Sequence, residues 1–242
     1  RVENMCNRGG IMGESHPGIH AQKIVVQQSQ AIPVPVSLSF PQAAAFALVA
    51  QTSYQMLVNR AQLETDDWVM VWGAGSGVGS MAIQIAKAKQ AHVIAISGSD
   101  QKLEKAKNLG ADICINYQND DVIRMVKKET DGKGVDIVFE HVGEATWDIS
   151  MRSLAKGGRV VTCGATSGAR ASVNLTHLFF KQQSILGSTM GSLSAFRGSM
   201  ELLFTGKIVP IVDKIFPMEQ IEDAHIYLES ASQYGKVVLS NE

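Results

Sequence analysis

The middle of this 242-residue chain alternates between short apolar runs and segments whose apolar residues recur every three or four positions. The apolar runs, which include 68–72, 92–97 and 135–139, predict buried β-strands, because strands covered on both faces need little polar alternation. The segment from Val78 to Ala86 gathers its apolar residues on one face and predicts an amphipathic helix. Strands that alternate with helices in this way predict an α/β fold with a doubly wound parallel sheet.

The start of the chain has a different pattern. The run 18–26 predicts a strand, and the prolines within 31–37 predict an extended connector. Ser39, followed by Pro41, has the residue types that begin a helix, and the alanine-rich run that follows predicts a helix to Leu57.

A glycine-rich loop, Gly73–Gly79, separates the strand at 68–72 from the helix that follows. A dinucleotide site needs this order, because the backbone must approach a pyrophosphate closely and the helix N-terminus must point at it. The strict Gly-x-Gly-x-x-Gly fingerprint would place its third glycine at position 78, which is Val78. An ordinary tight turn is the alternative, but the strand at 92–97 completes a unit of about 30 residues and favours binding.

Composition and charge narrow the choice of partners. A net charge of −1 gives no reason to expect nucleic acid or an anionic membrane surface. No apolar run approaches the roughly 18 residues of a spanning helix, and residues 1–4 show no apolar signal-peptide region. Cys6, Cys114 and Cys163 are too widely spaced for a disulfide framework. We therefore expect a protein of the reducing cytoplasm.

Five stretches of sequence carry a family resemblance. They are 40–46 with 51–54, the loop 73–79, 109–112 with 115–117, 157–161 with 163–166, and 235–239. Together they resemble the medium-chain dehydrogenases/reductases, most closely the zinc-type alcohol dehydrogenase and quinone oxidoreductase branch. The resemblance also accounts for the loop spacing, which is similar to the quinone oxidoreductase variant of the pattern.

The resemblance implies a division of the chain into three parts. Residues 40–190 would form a Rossmann-type dinucleotide-binding domain. Residues 1–39 and 191–242 would be remnants of a split GroES-like substrate domain, whose N-terminal portion is expected to be missing from this chain.

Zinc is not expected in this chain. Cys6 resembles the last cysteine of the family's four-cysteine structural site, but one cysteine cannot build a tetrad. The third ligand of the family's catalytic zinc would fall near Leu48, which cannot bind a metal. His16 and His20 are separated by a proline and a glycine, which forbid a helical pair, so we interpret them as solvated loop histidines.

The end of the second predicted strand bears on the choice of cofactor. NAD-specific sites usually place an acidic side chain there, whereas this strand ends in Ser97, Gly98 and Ser99. A carboxylate would repel a 2′-phosphate, and Lys102 would neutralise one. We therefore favour NADP(H) over NAD(H). Asp100 is interpreted as a helix cap, with a contact to the ribose as the alternative.

The full set of predicted cofactor-binding residues combines the loop with positions that the resemblance implies. It comprises Thr52, Gly75, Ser76, Gly77, Val78, Ser97, Gly98, Ser99, Lys102, Tyr117, Val142, Gly164, Ala165, Thr166, Ser188 and Lys236. Most of them fall at the carboxyl ends of predicted strands, where open α/β sheets bind ligands. No catalytic residue is assigned, because Tyr54, although near the expected site, is interpreted as a packing residue.

We predict an oxidoreductase that transfers hydride between NADP(H) and a small-molecule carbonyl, alcohol, quinone or enone. The alternative is a non-catalytic nucleotide-binding module or sensor. The strand 184–188 is expected at the edge of the sheet, where apolar residues favour pairing with a second copy, so we also expect a homodimer.

Overall fold

The computed structural model describes residues 3–7 and 9–241. Its centre is a parallel sheet of six strands in the order β3-β2-β1-β4-β5-β6. The strands are β1 Trp68–Val71, β2 His92–Ser97, β3 Ile113–Asn116, β4 Val135–Glu140, β5 Leu154–Thr162 and β6 Ser184–Gly187. The chain order reverses between β1 and β4, which are neighbours, and ligands bind at this kind of position in open α/β sheets.

In the described part of the chain, eight α-helices surround the strands. They are α1 Phe40–Tyr54, α2 Gly77–Ala88, α3 Asp100–Asn108, α4 Val122–Glu129, α5 Trp147–Ser153, α6 Leu175–Phe180, α7 Leu193–Phe204 and α8 Ile221–Glu229. Short 3₁₀ turns lie at Glu3–Met5, Gln28–Gln30 and Met218–Gln220. Two further strands, β7 Val212–Pro217 and β8 Lys236–Ser240, form a separate parallel pair. Within the described ranges no helix is both long and apolar enough to cross a membrane.

The six-stranded sheet has a hydrophobic core on each face. Val69 and Val71 of β1 pack into one cluster with α1, α2 and α7, whereas Met70 and Trp72 pack into the other with α4 and α5. Successive residues of a strand point to opposite faces, so a strand that is apolar throughout is buried on both. The prediction of a doubly wound parallel sheet is confirmed. All six strands lie within 40–190, while the division of the chain at 39 and 190 stays a prediction.

The helix predicted from Ser39 is present, and its start is made by side chains. The Ser39 hydroxyl accepts the backbone N–H of Gln42, and the Gln42 side chain accepts the N–H of Ser39, which forms a capping box. Pro41 lies in the first turn, where its missing N–H costs nothing. After Tyr54 the helix continues as a π-helical turn, Gln55–Arg60, so it runs slightly beyond the predicted end.

The strand predicted at 18–26 is wrong. These residues form bends and extended loop without strand pairing, and Val25 is 98% exposed. An extended segment becomes a strand only when a neighbouring backbone accepts and donates its hydrogen bonds. No such neighbour lies beside 18–26 among the described residues.

Candidate functional site

The glycine-rich loop turns tightly between β1 and α2. Gly73 has φ +56°, which favours glycine, and the Ala74 N–H is anchored to the Ile96 carbonyl at 3.0 Å. Ser76 is the N-cap of α2, and its hydroxyl oxygen accepts the Gly79 N–H at 2.9 Å. The loop therefore leads the chain directly from the sheet edge into the N-terminus of a 12-residue helix.

Gly79 has the role that the strict fingerprint assigns to its third glycine. A Cβ placed on Gly79 would lie 2.2 Å from the Gly73 carbonyl oxygen, so only glycine lets the helix start this close to the strand. Gly79 ends the predicted glycine-rich loop but was not among the predicted cofactor-binding residues.

Lysine side chains pack against the other two glycines of the loop, Gly75 and Gly77. A Cβ on Gly75 would lie 2.7 Å from Lys102 Cδ, and a Cβ on Gly77 would lie 2.6 Å from Lys236 Cδ. Burial lowers the pKa of both lysines. The side chains of two lysines thus lie against glycines at the positive end of the α2 dipole, which makes this loop a favourable place for a phosphate. Both lysines belong to the predicted set.

Seven predicted residues line one cleft of about 540 Å³, which we call the Ser99 cleft. They are Gly75, Ser76, Ser97, Gly98, Ser99, Lys102 and Tyr117, and the remaining lining residues are Gly73, Gln101, Ala231, Ser232 and Gln233. None of these described lining residues is an Asp or Glu. The Lys102 ammonium donates to the Ala231 carbonyl at 2.5 Å, so the loop before β8 forms the far wall. Sequence reasoning missed this wall, because it lies about 130 residues away in the chain.

Asp100 does not cap α3 as predicted. The cap is Ser99, whose hydroxyl accepts the Lys102 N–H at 3.4 Å, and Asp100 is the first helical residue. The Asp100 carboxylate accepts a hydrogen bond from the Asn116 side chain at 2.6 Å and does not line the Ser99 cleft. The alternative of a ribose contact therefore finds no support in the position of Asp100. Ser and Asp are similarly good caps, so their order in sequence could not decide which one fills the position.

A second, more apolar cleft of about 380 Å³ adjoins the first, and we call it the Trp72 cleft. Trp72, Val142 and Ile149 provide apolar surface, and Gly73 and Tyr117 are shared with the Ser99 cleft. Aromatic and aliphatic walls of this kind suit a flat heterocyclic base. Val142 and Tyr117 are the predicted residues that the structure places here.

The remaining predicted residues lie elsewhere on the same edge of the sheet. The loop Gly164–Thr166 packs on the turn after β4, where the Thr166 N–H donates to the His141 carbonyl at 3.4 Å. Thr52 is buried on α1, beside Ser53, whose hydroxyl donates to the Val78 carbonyl in the first turn of α2. Ser188 follows β6, and its hydroxyl is buried with no partner in the described structure. These contacts surround the loop without placing all predicted residues in one cavity.

Two residues at the end of β4 were not in the predicted set. Glu140 has no exposed surface, and its carboxylate accepts three backbone N–H groups and two hydroxyls. The His141 Nε2 lies 3.1 Å from the Trp72 carbonyl and 3.2 Å from the Ser76 hydroxyl. Burial lowers the pKa of His141, although nearby Glu140 opposes the shift. The only sequence signal was a charged residue directly after an apolar run.

The described residues do not fit a zinc site. No group of three or more His, Cys, Asp and Glu side chains in the described ranges is placed to hold a metal. Cys6 is exposed, and burial raises the pKa of the Cys163 thiol to about 11, which disfavours the thiolate that metals require. Burial likewise raises the pKa of Tyr54, which packs against the core beside Gly198. No catalytic step can be assigned to zinc from these residues.

Known proteins resemble this chain over most of its length. A family profile described as zinc-binding dehydrogenase matches residues 77–205. The chain is 33% identical over 239 residues to an NAD-dependent alcohol dehydrogenase of Sulfurisphaera tokodaii, covering 98% of this chain and 68% of that protein. It is 31% identical over 243 residues to a crotonyl-CoA reductase of Streptomyces avermitilis, covering 93% of this chain and 55% of that protein. Quinone oxidoreductase 1 of Escherichia coli is 31% identical over 242 residues, covering 95% of this chain and 73% of that protein.

Solved structures share the fold. A crystal structure of an NAD-dependent alcohol dehydrogenase superposes with a TM-score of 0.94 at 40% identity, covering 99% of this chain and 70% of that one. The 2-octenoyl-CoA carboxylase reductase CinF, in complex with NADP and 2-octenoyl-CoA, superposes with a TM-score of 0.81 at 34% identity. The match covers 88% of this chain and 53% of that one. The chain thus spans about half the length of the two acyl-CoA reductases and about two thirds of the alcohol dehydrogenases.

Proposed function

This chain belongs to the zinc-binding dehydrogenase family, and on that premise we propose that it is an oxidoreductase that transfers hydride between NADP(H) and a small-molecule substrate. The observation that carries the proposal is the glycine loop, where the side chains of Lys102 and Lys236 lie against glycines at the N-terminus of α2. The relatives' names cover alcohol, quinone and enoyl-CoA chemistry. We therefore propose a carbonyl, an alcohol, a quinone or an activated alkene as the substrate class.

Each part of the cofactor has residues suited to hold it. The N-terminus of α2 and Lys236 would bind the pyrophosphate, and the Trp72 cleft would bind the adenine. The loop Gly164–Thr166 and Thr52 would face the nicotinamide. The nicotinamide supplies the hydride when bound, and the protein contributes binding and orientation.

Ser76 has a hydroxyl proton available for the pyrophosphate. The Trp72 carbonyl can only accept, so the His141 Nε2 that contacts it carries a proton. This nitrogen therefore cannot accept the proton of the Ser76 hydroxyl, 3.2 Å away. The Ser76 oxygen also accepts from Gly79, which leaves its O–H free to donate to a phosphate oxygen in the cleft.

The preference for NADP(H) is supported by charge in the Ser99 cleft. Lys102 is the charged residue among the described residues that line it, and Asp100 is held by Asn116 instead. A 2′-phosphate would meet an amine and hydroxyls there and no carboxylate. Relatives differ on this point, because the alcohol dehydrogenases are named as NAD-dependent and the CinF structure contains NADP.

A titration followed by a turnover assay tests the proposal. NADPH fluorescence should change on binding, and NADPH should then be consumed with at least one of a panel of quinones, enones and aldehydes. Binding without turnover would overturn the enzyme proposal and support a nucleotide-binding module. No binding of NADPH or NADH would overturn both.

Ser99→Asp tests the cofactor preference. Asp is as good an N-cap as Ser, so α3 should remain intact, while the added carboxylate faces the 2′-phosphate. We expect NADPH affinity to fall about 30-fold, roughly 2 kcal/mol, with NADH affinity within about twofold of wild type. Ser99→Asn, which has the same shape without the charge, is the matched control. Equal losses for both cofactors in Ser99→Asp would contradict the NADP(H) assignment.

We also propose a homodimer that pairs through β6. This strand is an edge of the sheet, bonded on one side to β5, and Ile185 is 39% exposed. Phe179 and Phe180 on the preceding helix α6 add exposed apolar surface beside it. Sedimentation should give twice the mass of the 26.1 kDa chain, and Ile185→Lys should yield a monomer. A wild-type monomer at micromolar concentration would contradict the proposal.

A further inference from the structure

Glu140, the last residue of β4, is completely buried yet carries a carboxylate. Its Oε1 accepts the backbone N–H groups of His141, Val142 and Gly143 at 2.9, 2.6 and 3.1 Å. No ion pair forms at Glu140 in the described part of the chain. Burying a carboxylate without a cation is costly unless hydrogen bonds replace its water, and three successive N–H groups on one oxygen provide this. The carboxylate thereby sets the backbone of the whole turn after β4.

The second carboxylate oxygen of Glu140 connects this turn to the Trp72 cleft. Oε2 accepts the hydroxyls of Thr146 and Ser150 at 2.9 and 2.7 Å. The Ser150 oxygen accepts the indole N–H of Trp72 at 2.8 Å. Trp72 lines the cleft and lies 6.1 Å, centroid to centroid, from the ring of Tyr117, which is shared by both clefts. The position of the indole ring therefore depends on the carboxylate through one hydroxyl.

The same turn also contacts the glycine-rich loop. The N–H of His141 is held by Glu140, and the His141 imidazole donates to the Trp72 carbonyl and lies beside Ser76. A Cβ on Gly73 would lie 2.8 Å from this imidazole, so the ring is packed directly against the loop. Val142, the next residue, forms a wall of the Trp72 cleft. One buried carboxylate thus supports groups in both the Trp72 cleft and the glycine-rich loop.

We propose that Glu140 is a positioning residue for the adenosine half of the dinucleotide, an inference that rests on the proposed function. It acts through Trp72, Val142 and His141 and does not touch the cofactor itself. If this is its role, loss of the carboxylate should weaken binding of the adenosine end selectively. A residue that merely stabilises the fold would not distinguish one end of the cofactor from the other.

Glu140→Gln is the direct test, because glutamine has nearly the same shape but presents an N–H₂ where Oε2 accepts two hydroxyls. Binding of NADPH, adenosine 2′,5′-bisphosphate and nicotinamide mononucleotide would be measured by calorimetry. We expect about tenfold weaker binding of the first two and unchanged binding of the third. Where turnover is measurable, KM for NADPH should rise about tenfold, with kcat within twofold. Uniform weakening of all three ligands, or no weakening, would overturn the proposal.

Thr130→Val is the matched control. Thr130 is also buried, and its hydroxyl donates to the Val126 carbonyl and accepts the Gly134 N–H, but it lies before the opposite end of β4. This variant should lower the melting temperature without changing affinity for adenosine 2′,5′-bisphosphate. A comparable loss of affinity would show that general destabilisation explains the Glu140 effect.

Ser150→Ala decides the question if Glu140→Gln does not fold. It removes one donor to Glu140 and the acceptor of the Trp72 N–H, and it leaves the three backbone bonds in place. We expect about threefold weaker adenosine 2′,5′-bisphosphate binding, and unchanged binding would overturn the proposal. If the wild type binds neither NADPH nor the bisphosphate, the proposed function has failed. If the wild type binds both, a negative result from the variants concerns Glu140 alone.

Discussion

The segment before α1 and the sheet that follows it contain similar apolar runs but differ completely in burial. Among residues 3–7 and 9–39 no side chain is buried, and Val25 is 98% exposed. In the sheet, Val71 is 0% exposed and belongs to one of two large clusters. The two valines have the same hydrophobicity, and their surroundings account for the difference. An apolar run is stabilising only where other elements cover it.

This contrast explains why an apolar run correctly predicted a strand at 92–97 but wrongly predicted one at 18–26. The run 92–97 became β2 because β1 and β3 flank it and supply its hydrogen bonds. The run 18–26 has no pairing strand among the described residues, and all nine of its residues are exposed. Local pattern is sufficient evidence for a strand when the neighbouring segments predict partners for it.

The largest expected difference between the two regions is in the cost of removing an apolar side chain. Phe139→Ala empties a site that is 0% exposed and should lower the free energy of unfolding by about 3–5 kcal/mol. Val25→Ala should change it by less than about 0.5 kcal/mol. Urea unfolding measures both, with an unchanged m-value as the check on two-state behaviour. A large loss for Val25→Ala would mean that the first segment is packed in solution.

The two regions should also differ, by a smaller amount, in the cost of replacing a glycine by alanine. Gly79→Ala would place Cβ 2.2 Å from the Gly73 carbonyl oxygen. We expect this substitution to lower the free energy of unfolding by about 2 kcal/mol and to abolish NADPH binding. Gly18→Ala, whose Cβ would be 3.5 Å from its nearest neighbour, serves as the control and should be nearly neutral in the same unfolding and titration assays. Retention of NADPH binding by a folded Gly79→Ala protein would argue against the loop as the phosphate site.

The smallest expected effect is on the pH dependence of stability. Burial lowers the pKa of His141 in the folded protein, so below about pH 6.5 the unfolded chain takes up a proton that the folded chain does not. Stability should therefore fall as the pH decreases from 7 to 5, with a slope from this group of at most about 1.4 kcal/mol per pH unit.

His141→Gln isolates this contribution, because the glutamine amide can still donate to the Trp72 carbonyl but does not titrate. Its unfolding free energy, measured from pH 8 to 5, should decline less steeply than that of the wild type. His20→Asn, in the exposed first segment, is the control and should retain the wild-type slope. Parallel curves for His141→Gln and wild type would contradict the burial argument.

Much of the candidate site was predictable because its chemistry follows from local order. A strand, a glycine-rich turn and a helix place backbone N–H groups at the sheet edge, and the sequence shows this order at 68–88. Lys102 was predictable because it lies in the first turn of the helix after β2. Glu140 was not, since a charged residue after an apolar run is usually exposed. Only the turn that folds around its carboxylate makes burial acceptable.

The sequence by itself determined the alternation of strands and helices, the parallel sheet, the position of the glycine-rich loop and the family. These features depend on hydrophobic period and on glycine spacing, which are properties of neighbouring residues. The tertiary structure alone decided that 18–26 has no strand partner, that Ser99 rather than Asp100 caps α3, and that Ala231 faces Lys102. Each depends on groups that meet only after folding, whether a partner backbone, the dihedral angles of one residue or a segment about 130 residues away.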